Sequence, residues 1–341
     1  MKHNKYQLSI AVIASMFLVA CSGAANDKNN DTLTKVEAIA VPAEKIEIER
    51  FDRAVAAYPT ASAESRDSLI VRYAPIVDVM RVISGGGSDD EVMAALAASA
   101  ASKVFQPDVE RLLPDLSSVS AALGSLKAAM ARTLPEVKFP ARVFGYVTPY
   151  SQSVVIADSV VLLGLNHFLG SDYEGYGSFD EYVRRMKTPS RIPYQVAEAL
   201  IRSGYPYDEA DGQTVLSRLL YEGAVVTALK DVVAGSSAAD AMGYTGEEMK
   251  WLTDNESRIW QKMSGEEMLF SIDPVIAHRL TNPAPSTPLI NPRAPGRAGR
   301  YIGYRIVESY LKSHPDIALQ TLLTPGFYQS GTTLKDSGYR P

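Results

Sequence analysis

The segment from Val215 to Val233 constrains this chain more than any other. Val215, Leu219, Val226, Leu229 and Val233 recur at helical spacing, and the intervening Leu216-Ser-Arg-Leu-Leu-Tyr-Glu-Gly-Ala-Val-Val-Thr-Ala-Leu-Lys230 is mostly apolar. Such a pattern reads as a buried helix around which other elements must pack. Its oddity is Glu222, which takes the slot on the apolar line between Leu219 and Val226. An ionised carboxylate cannot remain unpaired in a core, so a buried Glu222 must be paired, protonated or working, and pairing inside a packed helix bundle is the first expectation.

The chain opens with basic Met1-Lys-His-Asn-Lys5, continues with an apolar run to Ala20, and reaches Leu18-Val-Ala-Cys21. This is a secretory signal, too short to span a bilayer, and its ending resembles a bacterial lipobox. Cys21 is the single cysteine, so no disulfide framework exists and lipidation of Cys21 is the expected use of that residue. Acyl chains on Cys21 would make a stable membrane anchor, delivered to the outer membrane and facing the periplasm, with Ser22 compatible with that delivery. Residues 21–36 are polar and poor in bulky side chains, and read as a flexible tether. A single domain is expected over 37–341, with 37–140 and 141–341 as two closely packed lobes if it divides. Removing Lys2 and Lys5 with the signal leaves 32 basic against 39 acidic residues, a net charge of −7. Without a basic patch, nucleic acid is excluded as a partner.

The fold class expected is α+β, mostly helical with a small antiparallel or mixed sheet. Ile46 to Asp52 alternates as a short strand, followed by an Ala-rich helical half from Ala61 to Arg132, interrupted at Gly85-Gly-Gly-Ser88 and closed by turns around Pro107 and Pro114. Ala141–Val147 and Ser153–Leu165 read as strands joined by the turn Thr148-Pro-Tyr-Ser-Gln152 into a hairpin, with Asp158-Ser159 able to split the second. Further helices are expected over Tyr194–Ser203, Gln213–Val233, Thr245–Lys262 and Arg297–Ser313, the third opened by the capping box Thr245-Gly-Glu-Glu248. Two Pro-rich connectors, 282–288 and 291–296, cannot be helix or central strand.

Several stretches carry a resemblance. Phe51-Asp-Arg53, Ala157-Asp-Ser159 leading into Leu162-Leu-Gly-Leu165, Gly243-Tyr-Thr245, Trp251, Asn255-Glu256, Ile259-Trp260, Leu269-Phe-Ser-Ile-Asp-Pro274, Asn282-Pro-Ala-Pro285 and Pro295-Gly-Arg-Ala-Gly-Arg-Tyr-Ile-Gly-Tyr304 occur in order. Taken together with the lipobox, they resemble the gliding-motility lipoprotein GldB family of Bacteroidota. The resemblance implies a cell-envelope lipoprotein tied to gliding and, in some members, to type IX secretion, with other envelope proteins of that machinery as partners, no cofactor and no known enzymatic activity. A more distant resemblance is to zincin-like metallopeptidases, which carry His-Glu-x-x-His on a long helix. It implies a degenerate zincin-like architecture: Glu222 stands at the Glu position, while Tyr221 and Val225 occupy the histidine positions and cannot bind zinc. A third ligand would fall on Glu256, so Tyr221, Glu222, Glu256 and Arg305 form a candidate buried or vestigial site without a metal.

Other residues have one bland and one functional reading. Arg305 is the first choice of partner for Glu222, and is also suited to Glu256, because a planar guanidinium can satisfy both carboxylate oxygens. Gly299 and Gly303 mark close helix packing or, with Arg297, Arg300 and Arg305, a cleft with basic walls for an anion. Tyr146, Tyr150, Tyr173 and Tyr176, with Phe179, are a candidate interface, or else pack over the sheet edge. Trp251 and Trp260 are core candidates. The function these features favour is a non-enzymatic envelope lipoprotein acting through protein interactions. The alternatives are a zincin-like hydrolase or peptidase with an unrecognised metal site and a binder of peptidoglycan or a small ligand.

Overall fold

A computed structural model describes residues 44–157, 159–209 and 212–341, all within a compact unit spanning 42–341. The signal, the tether, Cys21 and Asp158 lie outside the described residues. Strand β1 (Ile48–Arg50) is shorter than its alternation predicts, because Phe51-Asp52 already open helix α1 (Phe51–Ala57). The side chain of Arg50 clamps both oxygens of Asp52 at 2.8 and 2.7 Å across this junction. Helices α2 (Ala63–Arg72), α3 (Ala74–Ile83), α4 (Asp89–Ala98), α5 (Ala100–Leu112) and α6 (Ser117–Thr133) follow. The glycine run breaks the chain as expected, with positive φ at Gly85, Gly86 and Gly87, and Ser88 restarts it through a capping box with Glu91. Pro107 does not end a helix; α5 runs through it and stops at Leu112, before Pro114.

Strands β2 (Arg142–Tyr146), β3 (Val154–Ala157) and β4 (Val160–Gly164) complete a four-stranded sheet in the order β1-β2-β4-β3. The expected hairpin between 141–147 and 153–165 is corrected here. β2 pairs in parallel with β4, from Arg142 opposite Val160 to Tyr146 opposite Gly164, and β1 is parallel to β2. The antiparallel hairpin is instead β3 with β4, Ala157 facing Val160, so the segment does split near residue 158. Side-chain alternation explains why the two inner strands are apolar throughout. Phe144, Tyr146, Val160 and Leu162 join the core built on α1, α3 and α4, while Val143, Val161 and Leu163 join the larger core with α6 and the helices that follow. The sheet is therefore covered on both faces.

The rest of the chain is mainly helical: α7 (Glu181–Arg184), α8 (Ile192–Gly204), α9 (Val215–Val232), α10 (Ala238–Met242), α11 (Gly246–Asp254), α12 (Glu256–Gly265) and α13 (Pro274–Thr281). The helix expected over 245–262 keeps its capping box at Thr245 and Glu248 but is broken at Asn255, whose φ of −111° and ψ of 8° leave the helical region. The Pro-rich connectors form a separate ribbon, β5 (Ser286–Thr287) with β6 (Asn291–Pro295), where proline's missing donor is tolerated. Helix α14 (Ala298–Ser313) and three short helices, α15 (Leu319–Leu322), α16 (Pro325–Tyr328) and α17 (Thr333–Asp336), end the fold. Trp251 and Trp260 are half-buried against the large core. The architecture is α+β.

Helix α9 lies at the centre, with Val215, Leu219, Ala224, Val225, Val226, Ala228 and Leu229 fully buried. It meets α14 through glycines: a Cβ on Gly303 would sit 1.8 Å from the Leu219 carbonyl oxygen, and one on Gly223 would sit 2.2 Å from the Gly303 carbonyl carbon. Gly299 faces Leu219 and Leu280 in the same way. The close-packing reading of Gly299 and Gly303 is the one the structure bears out, and the backbones approach nearer than any side chain allows.

Candidate functional site

Glu222 is 6% exposed, in the middle of α9. Its partner is not Arg305, as the sequence suggested, but Arg202 from α8, whose Nη1 and Nη2 donate to Oε1 and Oε2 at 3.0 and 2.7 Å. Arg202 also donates through Nε and Nη2 to Glu198, one helical turn earlier on α8. Arg300 of α14, 3% exposed, closes the group: Nη2 donates to Glu198 at 2.9 Å and Nε lies 3.6 Å from Glu222. Two carboxylates and two guanidiniums thus neutralise one another inside the helix layer. Burial pushes the Glu222 carboxyl up, but Arg202 and Arg300 outweigh it and hold the group below its ordinary range. The same opposition, with Arg300 and Arg202 prevailing over burial, brings Glu198 down to about 2. Both are anions at neutral pH.

Arg305 and Glu256 form a second group on the far side of α14. Glu256, 7% exposed, is the first residue of α12, where the break at Asn255 exposes unsatisfied N–H groups and favours a carboxylate. Its Oε1 accepts from Arg305 Nε and from the Tyr339 hydroxyl, each at 2.9 Å, and its Oε2 accepts from the Tyr301 hydroxyl at 2.6 Å. Arg305 also pairs with Glu308. Tyr339 packs edge-on against Trp260, with ring centroids 5.1 Å apart, so this carboxylate fastens the C-terminal segment to the body. Burial, then Glu256, push the Tyr301 and Tyr339 phenols well above their ordinary pKa.

The sequence grouped Tyr221, Glu222, Glu256 and Arg305, and the structure divides them, keeping Glu256 with Arg305 but placing Glu222 with Arg202. Arg300 serves Glu222 and the adjacent Tyr301 serves Glu256, so α14 divides the two carboxylates between distinct partner sets. Tyr221 donates to the Tyr205 carbonyl at 2.7 Å and stacks among Tyr207 and Tyr328, and Val225 is fully buried. Among the described residues, no group of three or more His, Cys, Asp and Glu could hold a metal ion.

The candidate aromatic interface is also redistributed. Tyr146, 1% exposed, and Tyr176, 3% exposed, are core residues and cannot form a surface platform. Tyr176 donates to the Asn166 carbonyl at 2.6 Å, and the half-buried Tyr173 donates to Asp108 at 2.7 Å. Only Tyr150 and Phe179 of this set are exposed. Tyr146 lies against a cleft of about 580 Å³ at the carboxyl ends of β1 and β2, beside Asp52 and Gln106. Burial raises its phenol pKa, the neighbouring Thr148 hydroxyl offsets part of this, and no group meets the hydroxyl in hydrogen-bond geometry. A buried unsatisfied hydroxyl costs about 1–3 kcal/mol. Tyr146→Phe is therefore expected to leave stability unchanged or raise it; a clear fall of the urea midpoint would show that the hydroxyl has a partner.

Sequence reasoning missed a segment carrying three exposed apolar side chains. Phe270, Ile272 and Val275 are 67%, 64% and 53% exposed, and the Ser271, Asp273 and Pro274 between them are polar or turn-forming. The segment is nonetheless firmly held. Met268 and Leu269 are buried beneath it, the Ser271 carbonyl accepts from Val215 N at 2.9 Å, and Asp273 caps α13 through Val275 N at 2.8 Å. The available signal was Leu269-Phe-Ser-Ile-Asp-Pro274 itself, bulky apolar residues interleaved with turn chemistry.

Fold and site together define an α+β protein with two separate ionic groups, each built on a buried carboxylate, and a fixed apolar projection. No helix among the described residues is long and apolar enough to cross a membrane. A family model described as gliding motility protein GldB matches residues 29–341, and the chain belongs to that family, a lipoprotein family of the cell envelope associated with gliding motility. No curated protein and no solved structure matches it.

Proposed function

We propose that this chain is a non-enzymatic lipoprotein of the gliding-motility and type IX secretion type, anchored through Cys21 in the outer membrane and facing the periplasm. It works by binding another envelope protein of that machinery. The observation that carries this reading is the exposed set Phe270, Ile272 and Val275 on a backbone already fixed by Val215 and Asp273. Contiguous exposed apolar side chains on a rigid frame bind a partner at little conformational cost, whereas a solvated loop has no use for them. The ionic groups favour the same reading over a hydrolase: the Glu222 oxygens are engaged by Arg202 and those of Glu256 by Arg305, Tyr301 and Tyr339, so neither carboxylate is placed to move a proton.

A photo-crosslinking amino acid at Ile272, activated in cells, tests this. A discrete crosslinked protein is expected, lost when Phe270 and Val275 are both changed to serine, while the purified double variant melts within about 0.5 kcal/mol of wild type because both side chains are solvated. Crosslinks no more discrete than those from a probe at exposed Thr60 would defeat the proposal.

A further inference from the structure

A second cavity, of about 260 Å³, lies among the loop after β2, the end of β4 and the start of α14, with Ser151, Ser153, His167, Lys187, Gln195 and Arg297 in its wall. None of its lining residues is acidic. In a chain of net charge −5, half-buried cations such as Arg185 and Arg202 are paired with carboxylates. Lys187 is half-buried, and its only polar side-chain contact among the described residues is His167, with Nζ 2.9 Å from Nδ1. The His167 Nε2 lies 3.0 Å from the Tyr150 carbonyl, so Nε2 carries the proton and donates to it, and Nδ1 accepts from the ammonium. The ring is thus neutral, in keeping with a pKa lowered to about 4 by burial and by the Lys187 charge.

The remaining contacts of Lys187 are the faces of Tyr176 and Phe179, at 5.1 and 4.9 Å from the ring centroids. Arg297 is likewise half-buried with no carboxylate in ion-pair range among the described residues. Its Nη2 donates to the Met242 carbonyl at 2.7 Å, leaving the other guanidinium N–H groups without a protein acceptor. The residue is also held at a φ of 63°, a left-handed conformation that strains a non-glycine side chain and aims the chain into α14 at this point. Burial lowers the pKa of each cation, and the Glu198 and Glu222 carboxylates, which oppose this for Arg297, stand outside its ion-pair range.

We propose that this cavity binds a compact oxyanion of the phosphate class, held between the Lys187 ammonium and the Arg297 guanidinium with the Ser151 hydroxyl at its mouth. Such a ligand supplies the missing negative charge and accepts several donors at once. A cation is excluded by the same wall, and the volume admits a phosphoryl group with little attached. The group belongs either to a small soluble phosphate or to the phosphate of a lipid headgroup. The proposal does not depend on the docking segment at Phe270–Val275, and either can fail without the other.

The test titrates the full chain, in a non-ionic detergent at constant ionic strength set with chloride, with inorganic phosphate and separately with short-chain phosphatidate, following heat and melting temperature. Saturable binding of at least one probe is expected, together with a raised melting temperature. Inorganic phosphate as the tighter probe identifies a soluble ligand, and phosphatidate as the tighter probe a lipid headgroup. Lys187→Met should weaken binding at least about tenfold, the equivalent of one charge-assisted hydrogen bond. Arg297→Gly, which relieves the left-handed backbone and so retains the fold, should do the same. Failure of both probes to bind, or wild-type affinity in both variants, would overturn the proposal.

Discussion

Leucine in place of Gly303 is expected to cost more than about 3 kcal/mol, beyond the usual range for overpacked cores, and to lower the melting temperature by several degrees. The reason is the nature of what the new side chain meets. A Cβ at this position would stand 1.8 Å from the Leu219 carbonyl oxygen and 2.6 Å from its carbon, which are backbone atoms in the middle of α9. No rotamer change relieves that contact; α9 and α14 must move apart. The crossing cannot yield locally, because Gly223 presses on the Gly303 carbonyl from the other side. Separation would also pull Arg300 away from Glu198 and Glu222. Gly299→Ala should be milder, since its new methyl meets two side-chain atoms of Leu219 and Leu280 at 2.7 Å before the Leu280 carbonyl at 2.8 Å. A Gly303→Leu protein with the wild-type denaturation midpoint would mean that the two helices do not cross at these glycines.

What the sequence disclosed depended on how local each feature is. The buried helix around Glu222 was legible from its stripe, and its neighbours α8 and α14 from periodicity, because these properties are set within one helix. The need for a partner followed from burial alone. The partner's identity did not, since Arg202 reaches Glu222 through the packing of α8 on α9, and the sequence holds many arginines of equal chemistry. The same distinction explains the sheet. Strand identity was local, but whether β2 pairs with its successor or with the strand after it depends on where α8 and α9 cover the sheet. Tyr146 was misplaced for a related reason: its face of β2 is buried by α1, α3 and α4, whose Ala-rich sequence carries the weakest pattern in the chain. Asn255 breaks the helix expected over 245–262, within the weak helix formers Thr253-Asp-Asn255, and the break gives Glu256 its position at a helix start.

Glu222→Ala is expected to destabilise the protein by about 3–5 kcal/mol, the range for breaking a buried ion pair by removing one partner. Three losses combine. Arg202 keeps only Glu198 as a counter-charge, Arg300 loses the Glu222 carboxylate 3.6 Å from its Nε, and the apolar line between Leu219 and Val226 gains a void. Glu222→Gln should cost less, because the amide fills the space and one oxygen still accepts from Arg202. The pH dependence has a definite sign. Glu198 and Glu222 have folded pKa values below their ordinary values, Glu198 at about 2, so their contribution is complete above the unfolded value of roughly 4.3. As pH falls below that value the unfolded chain takes up protons first, and the contribution declines until the folded carboxylates are protonated too. Wild type should therefore lose stability between about pH 4.5 and pH 2 as Glu198 protonates, and the Glu222→Ala difference should shrink as pH falls below about 4.3. Urea melts of both proteins at pH 7 and pH 3 measure this directly. A difference that stays constant between the two pH values would mean that the carboxylate is protonated, or unpaired, in the native protein.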